Sequence, residues 1–354
     1  MNILQNEYPY HDKFNVNSLI KSIIHLQRNK LPSEPDYLIS PNSLQYITCS
    51  TSKKGHVETI TFIWEYLNLM NNNSNEKNNP NSIYIQPTEG LYENAVCTYA
   101  ASRRLDHMVF GIISEMEEAG IKPTRNFLLR VSKAIRTRSS IKRVDHALHM
   151  MGNSYFGGAG GDEMISVSPT TSSLNILLAA FADFGFTSRA MDLYNEFDDF
   201  GCVPDGNTYS FLMNSIEMDI STTLPPMIGQ LNNFGESQLN DDQKSWIESQ
   251  LGVANSILNA ATEMGCRSDE HLTDAYIKVL YSAADNDKAL DFLGEKVQNG
   301  EKISSHTLGL LAVTNAELGN NNIVDEIIQL SKQGGYKSCL PRHFIERIDV
   351  LLSK

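Results

Sequence analysis

Residues 171–205 read T-S-S-L-N-I-L-L-A-A-F-A-D-F-G-F-T-S-R-A-M-D-L-Y-N-E-F-D-D-F-G-C-V-P-D. Apolar residues in the first half of this stretch recur at i, i+3, i+4 and i+7: Leu174, Leu177, Leu178 and Phe181. This spacing places them on one face of an α-helix. The stretch therefore opens with an amphipathic helix, which we expect to end near Gly185.

A second apolar series follows Gly185. Its members, again at helical spacing, are Ala190, Leu193, Tyr194 and Phe197. We expect this helix to run to Gly201, where a left-handed cap followed by Pro204 would end it. The stretch therefore predicts a helical hairpin. No period-2 alternation long enough for a sheet occurs in the chain, so the sequence predicts an all-α protein.

The same pattern returns along the chain at a spacing of 35 residues. The glycine near the end of the unit recurs as Gly265, Gly300 and Gly335. An apolar position recurs in the same frame as Leu258, Leu293 and Ile328. A self-similar period of this length indicates a solenoid, in which each unit buries its apolar face against its neighbours.

In this frame the chain divides into seven units: 41–89, 90–124, 125–170, 171–205, 206–269, 270–304 and 305–339. We expect residues 1–40 to form an N-terminal helical or capping segment, and residues 340–354 to form a capping helix over about 343–352. Three units carry insertions, at 71–82, at 157–161 and at about 222–248. The last insertion, within 217–252, is a candidate docking element for a protein partner, and a tolerated surface insertion is the alternative.

These units resemble the pentatricopeptide repeat, a 35-residue helical hairpin with Asn early in its first helix and a Gly-x-x-Pro-Asp-like ending. Asn175 with G-C-V-P-D at 201–205 matches this pattern, and Asn94 with G-I-K-P-T at 120–124 matches it again. The endings at 265–269 and 300–304 keep the spacing but lose the proline. Tetratricopeptide repeats are the structural rival, but they run at 34 residues with a Trp/Leu/Gly/Tyr pattern that this sequence lacks. The resemblance covers about residues 41–339 and implies a right-handed α-solenoid.

In the resembling family, an early residue of the first helix and the last residue of the unit together read one base of single-stranded RNA. Four polar pairs occupy these two places here: Asn175 with Asp205, Ser210 with Asp269, Asn94 with Thr124, and Asp274 with Ser304. The first pair resembles the combination associated with uracil, and the second is a looser match to the guanine-type pair. The third lies outside the familiar pairs, and the fourth is reversed in character. Leu129 and Gly309 occupy the same early place but have no side chain that could bond to a base, so a long sequence-specific RNA track is not expected.

The third unit is the basic part of a chain whose formal net charge is −13. The stretch between residues 120 and 151 contains eight Lys and Arg residues and one carboxylate, whereas the segment 217–248 is acidic. Lys133 and Arg136 share a helical face with Asn126 and Leu129, and the packing face consists of Phe127, Leu128, Val131 and Ile135. If the first helices line the groove, as the resemblance implies, Lys133, Arg136 and Arg130 would contact RNA phosphates. A solvated charged face is the alternative.

The sequence predicts no enzyme. It contains no Gly-x-Ser-x-Gly, no Cys-x-x-Cys and no His-x-Glu joined to a cysteine pair. The glycine-rich segment at 157–161 lacks the preceding strand and the Gly-Lys-Ser/Thr of a phosphate loop, and His146 with His149 are too few ligands for a metal. We therefore expect no metal, cofactor or small-molecule substrate. No apolar run approaches the ~18 residues of a membrane helix, so no membrane partner is expected either.

Members of the resembling family act in mitochondria or plastids, and the resemblance therefore implies an organellar location. The first thirty residues, which contain Glu7 and Asp12, make a poor targeting segment. Five cysteines without pair spacing indicate a reducing compartment.

Two hypotheses follow. The leading one is an adaptor that binds single-stranded RNA in organellar RNA processing, stability or translation and has no catalysis of its own. The alternative is a protein-interaction scaffold built on degenerate helical repeats without base readout, which the residues at Leu129 and Gly309 and the acidic C-terminal half would suit.

Overall fold

The computed structural model describes residues 16–29, 39–52, 57–74, 87–101, 106–135, 138–153, 169–223, 240–267, 269–333 and 340–353. These residues form sixteen helices and contain no strand. The all-α prediction is therefore confirmed for the described part of the chain. The helices are α1 (Val16–Asn29), α2 (Pro41–Ser52), α3 (Val57–Ser74), α4 (Glu89–Ala101), α5 (Asp106–Glu118), α6 (Arg125–Ala134), α7 (Arg138–Asn153), α8 (Thr171–Asp183), α9 (Thr187–Asn195), α10 (Gly206–Thr223), α11 (Asp241–Glu263), α12 (Glu270–Ser282), α13 (Asn286–Gln298), α14 (Ser305–Glu317), α15 (Asn321–Gln333) and α16 (Arg342–Leu352).

The chain divides into two compact units, residues 1–168 and 169–354. In the N-terminal unit α2 packs on α4 and α4 packs on α6, and each of these helices begins a hairpin. In the C-terminal unit the same succession runs through α8, α10, α12, α14 and α16. We call these eight helices the first helices. Their side-by-side packing lets each hairpin bury its apolar face on the next, as expected for repeats that have no core of their own.

The apolar spacing of residues 171–181 has the predicted consequence. Leu174, Leu177 and Leu178 have no exposed surface, and Phe181 is only 2% exposed. Helix α8 is in fact buried on every side from Ser173 to Ala182.

Backbone turns with positive φ separate the helices at recurring places. Gly265 and Gly300 have φ of 73° and 70° where the second helix of their hairpin ends, and Gly201 has φ 67° at the end of the turns that follow α9. Between the two helices of a hairpin, Gly319 has φ 77°, and Ala284 takes the equivalent place with φ 59°. Only glycine adopts this region without strain, which explains the glycine frame of the sequence. Gly335, the third glycine of the 35-residue series, lies outside the described residues.

The second helix of the 171–205 hairpin is shorter than its sequence predicts. Helix α9 ends at Asn195 and not at Gly201. The backbone then tightens into turns, in which the N–H of Phe197 donates to Tyr194 O and the N–H of Gly201 donates to Asp198 O, at 3.2 and 3.0 Å. The prediction failed here because the apolar series continues through a turn of i→i−3 bonds that side-chain spacing cannot distinguish from an α-helix.

The insertion in the fifth predicted unit lengthens both helices of its hairpin. Helix α10 has 18 residues and α11 has 23, whereas α12, α13, α14 and α15 have 13 each. Residues 224–239 between α10 and α11 lie outside the described part, as do residues 75–82 of the first insertion and the whole insertion at 157–161. Residues 71–74 of the first insertion belong to α3, so the predicted loop begins too early. The predicted capping helix is present as α16 and begins at Arg342.

Candidate nucleic-acid interface

Asn175 and Asp205, the best-matched pair of the sequence analysis, are in direct contact. Asn175 Nδ2 donates to Asp205 Oδ1 at 3.0 Å, and Asn175 Oδ1 accepts from the Thr208 hydroxyl at 2.8 Å. The N–H of Thr208 donates to Asp205 Oδ1 at 2.9 Å, and the N–H of Asp205 donates back to Thr208 Oγ1 at 3.0 Å. The three side chains therefore form one network that joins α8 to the start of α10.

This network encloses the Asn175 amide. Asn175 is only 1% exposed, and both the carbonyl and the amino group of its side-chain amide already have partners. Asp205 remains half-buried and reaches the surface. The base-reading role of this pair stays a prediction, and the structure makes Asp205 the more accessible of the two.

The pair Asn94 and Thr124 is not brought together. Asn94 Nδ2 reaches Thr48 Oγ1 of the preceding first helix at 3.4 Å. The Thr124 hydroxyl donates instead to Glu89 Oε1 at 2.7 Å. Glu89 and not Asn94 therefore supplies the partner of the last residue in this unit.

The pair Ser210 and Asp269 also has separate partners. Ser210 has no exposed surface, and its hydroxyl donates to Asn207 O at 3.0 Å. Asp269 Oδ1 accepts from the N–H groups of His271 and Leu272, at 3.0 and 2.9 Å. Its Oδ2 lies 2.7 Å from the position that a Cβ on Gly206 would occupy, so Asp269 packs closely on the beginning of α10.

One structural role that the sequence analysis missed connects these findings. In four of the predicted units the last residue is the N-cap of the following first helix. Thr124, Thr170, Asp269 and Ser304 each accept a bond from a backbone N–H two or three residues ahead. Thr, Asp and Ser are the residue types that caps prefer, so this preference in the sequence could have revealed the role. It also gives a structural reason for the polar residue at this place.

The basic surface on α6 has the predicted orientation. Phe127, Leu128, Val131 and Ile135 are buried. Asn126, Arg130 and Lys133 are exposed, and Lys133 has no bonded partner within the described ranges. Arg136 lies outside the described residues. Phosphate contact by these side chains remains a prediction.

Arg130 on α6 forms an ion pair with a glutamate on α4, the preceding first helix. Its Nε lies 2.9 Å from Glu93 Oε1 on α4. Burial raises the pKa of Glu93 above its usual value, Arg130 opposes that shift, and the nearby Glu89 adds to it. Burial likewise raises the pKa of the Cys97 thiol, one turn further along α4, to about 12. The arginine that was expected to meet phosphate therefore already meets a carboxylate.

Charge differs sharply between the two units. Residues 1–168 contain 17 Lys and Arg against 16 Asp and Glu, whereas residues 169–354 contain 12 against 26. The excess negative charge of the protein therefore belongs to the C-terminal unit, and a polyanion would meet less repulsion on the N-terminal unit.

Gly309, which cannot bond to a base, has a packing role. A Cβ at this position would lie 2.3 Å from Phe344 Cδ2. The side chain of Phe344 on α16 therefore covers the very place on α14 where the resemblance expects a base-reading residue.

The described residues form neither a metal site nor a membrane span. No group of three or more His, Cys, Asp or Glu in the described part could hold a metal ion. No described helix is both long and apolar enough to span a membrane.

Comparison with known proteins gives a structural likeness. No family model and no curated protein matches the chain. The solved structures that it resembles include structures of a pentatricopeptide repeat protein. The pentatricopeptide repeat protein PPR10 from maize matches with 14% identity and a TM-score of 0.41, over 96% of this chain and 44% of the other. The same protein in complex with an 18-nucleotide psaJ RNA element matches with 16% identity and a TM-score of 0.30, over 96% and 50%.

This chain thus spans about half the length of the solved structures that it matches.

Proposed function

We propose that this chain is a pentatricopeptide-type repeat adaptor that binds single-stranded RNA, mainly through phosphate contacts on α6. The observation that carries the proposal is the exposed face of this helix. Arg130 and Lys133 reach solvent on the side opposite its buried apolar residues. Phosphate neutralisation by such side chains supplies most of the non-specific affinity for nucleic acid.

Base readout contributes little in this proposal. Asn175 and Ser210 are fully buried, and Phe344 covers Gly309. Hydrogen-bond readout needs side chains that can reach the edge of an unstacked base. Asp205 is half-buried and is the member of the uracil-type pair that reaches the surface, so we expect at most a weak preference for uridine-rich RNA.

The wider role follows from the resemblance. We propose that the protein assists the processing, stability or translation of organellar RNA and leaves catalysis to a partner. The insertion within 217–252, which includes the end of α10 and the beginning of α11, is the proposed place for a protein partner.

The test is binding of fluorescent single-stranded RNA measured as a function of salt. Lys133→Glu is expected to weaken binding. It should also reduce the magnitude of the slope of log affinity against log salt concentration by about 0.7, the value for one phosphate contact on a single strand. Lys302→Glu, which makes the same charge change at an exposed lysine of the C-terminal unit, is the matched control and should leave the slope unchanged. Absence of RNA binding at low salt would disprove the proposal.

A second candidate function is a protein-interaction scaffold. The covering of Gly309 by Phe344 and the 26 acidic residues of the C-terminal unit favour it. In that case the chain would bind no RNA at low salt, and a basic protein segment would bind the C-terminal unit with an affinity that falls as salt rises.

A further inference from the structure

The ion pair between Arg130 and Glu93 joins two side chains in different surroundings. The Arg130 side chain is 68% exposed, whereas the Glu93 side chain is only 12% exposed. The guanidinium therefore lies at the surface while the carboxylate that holds it lies beneath. A ligand anion could reach Arg130 from solvent, but it would have to compete with Glu93.

Few other charges act on Glu93. Helix α2, which packs on α4, carries no charged residue. Glu89 lies one turn before Glu93 on α4 and faces Thr124, and Cys97 lies one turn after it. Glu115 of α5 is bonded to Trp64 and Tyr92 instead. Among the described residues Arg130 is thus the cation whose charge acts on Glu93.

A carboxylate and a phosphate bind a guanidinium in the same way, through charge-assisted N–H to oxygen bonds. We propose that Glu93 is a built-in competitor of the RNA phosphate for Arg130, so that RNA binding at α6 requires release of this carboxylate. The inference rests on the proposed function and names the regulation of that same surface.

Release of Arg130 should be coupled to a proton. Burial already raises the pKa of Glu93, and Arg130 is the group that opposes this shift. When phosphate takes Arg130 away, the carboxylate loses its cation and its pKa rises further. Protein–RNA association should therefore take up a proton, and affinity should increase as pH falls from 7.5 towards 5.5.

The experiment measures binding of two polyanions, a single-stranded RNA of mixed sequence and inorganic polyphosphate, at pH 7.5 and 5.5. Glu93→Gln removes the competing charge but keeps the shape. Because the Arg130 end of this ion pair is exposed to solvent, the pair is weak. We expect a gain in affinity of about twofold to fivefold at pH 7.5 and a smaller pH dependence than in the wild type. In an Arg130→Gln background the same change should have no effect.

Glu118→Gln is the matched control, since it removes the same charge from an exposed side chain of the α4–α5 hairpin. An equal gain from Glu118→Gln, or a gain from Glu93→Gln that persists without Arg130, would show a general charge effect and overturn the inference. So would an unchanged affinity in Glu93→Gln. Binding of polyphosphate without binding of RNA would refute the proposed function, while the competition by Glu93 could still be tested with polyphosphate. If neither the wild type nor Glu93→Gln binds either polyanion, both the proposed function and the competition are refuted.

Discussion

Asn175, which is only 1% exposed, donates a 3.0 Å hydrogen bond from its Nδ2 to Asp205 Oδ1. The bond links the first helix of one hairpin to the start of the next. In the same way the Ser304 N–H donates to Asp274 Oδ1 at 3.2 Å. Polar side chains at this place in the repeat therefore connect successive units, whatever they do for a ligand.

Asn175→Ala should destabilise the C-terminal unit. The change removes two side-chain hydrogen bonds, one to Asp205 and one to Thr208, from a buried network. We expect a loss of about 1–3 kcal/mol in the free energy of unfolding. Urea denaturation followed by circular dichroism measures it. Asn94→Ala, which removes a single 3.4 Å bond from a half-buried side chain, is the control and should cost less. Equal losses would contradict the role of the Asn175 network.

Ala284→Gly should stabilise the protein. Ala284 has φ 59°, a conformation that strains any residue with a Cβ. Relief of that strain outweighs the added freedom of glycine in the unfolded chain, and we expect a gain of about 0.5–1 kcal/mol. Thermal and urea denaturation should both show it. The reverse change at the equivalent turn, Gly319→Ala, should destabilise, and a loss of stability in Ala284→Gly would disprove the interpretation.

Gly309→Ala should disturb the contact between α14 and α16. The new methyl would lie 2.3 Å from Phe344 Cδ2, and overpacking of this kind costs about 1–3 kcal/mol. Hydrogen exchange should increase in α16, and Phe344→Leu should restore part of the loss. Gly294→Ala in α13 is the control, because no atom outside its own helix backbone and chain neighbours lies within 4 Å of its Cβ position. This control should gain about 0.5–1 kcal/mol from helix propensity.

Lys296→Met should be strongly destabilising. The Lys296 side chain has no exposed surface, and its Nζ donates to Arg267 O at 2.8 Å and to Glu301 Oε2 at 2.7 Å. Removal of one partner of a buried ion pair costs about 3–5 kcal/mol, because the other charge is left without compensation. Addition of Glu301→Gln should recover part of the loss in urea denaturation. Lys288→Met, which breaks an exposed pair with Asp285, should change stability little.

The sequence predicted the helices well where side-chain spacing decides them. The buried series at 174–181 and the apolar face of α6 are where the i, i+3, i+4 pattern places them. The predicted end of α9 was wrong, because a turn with i→i−3 hydrogen bonds continues the same apolar spacing.

The candidate site was less predictable. Spacing and residue type pointed to Asn175 and Asp205, but side-chain spacing carries no information on which polar atoms meet. The partner of Thr124 proved to be Glu89, and the partner of Arg130 proved to be Glu93. Both glutamates lie on a neighbouring helix, 35 and 37 residues away.

By itself, the sequence determined the hairpin, the 35-residue period and the charge of each part of the chain, because helical periodicity and turn glycines act over short distances. Only the tertiary structure decided which polar groups are accessible to a ligand. The packing of the first helices encloses Asn175 and Ser210, places Phe344 against Gly309 and places a half-buried glutamate beneath Arg130. Accessibility depends on these contacts between units, which local spacing does not encode.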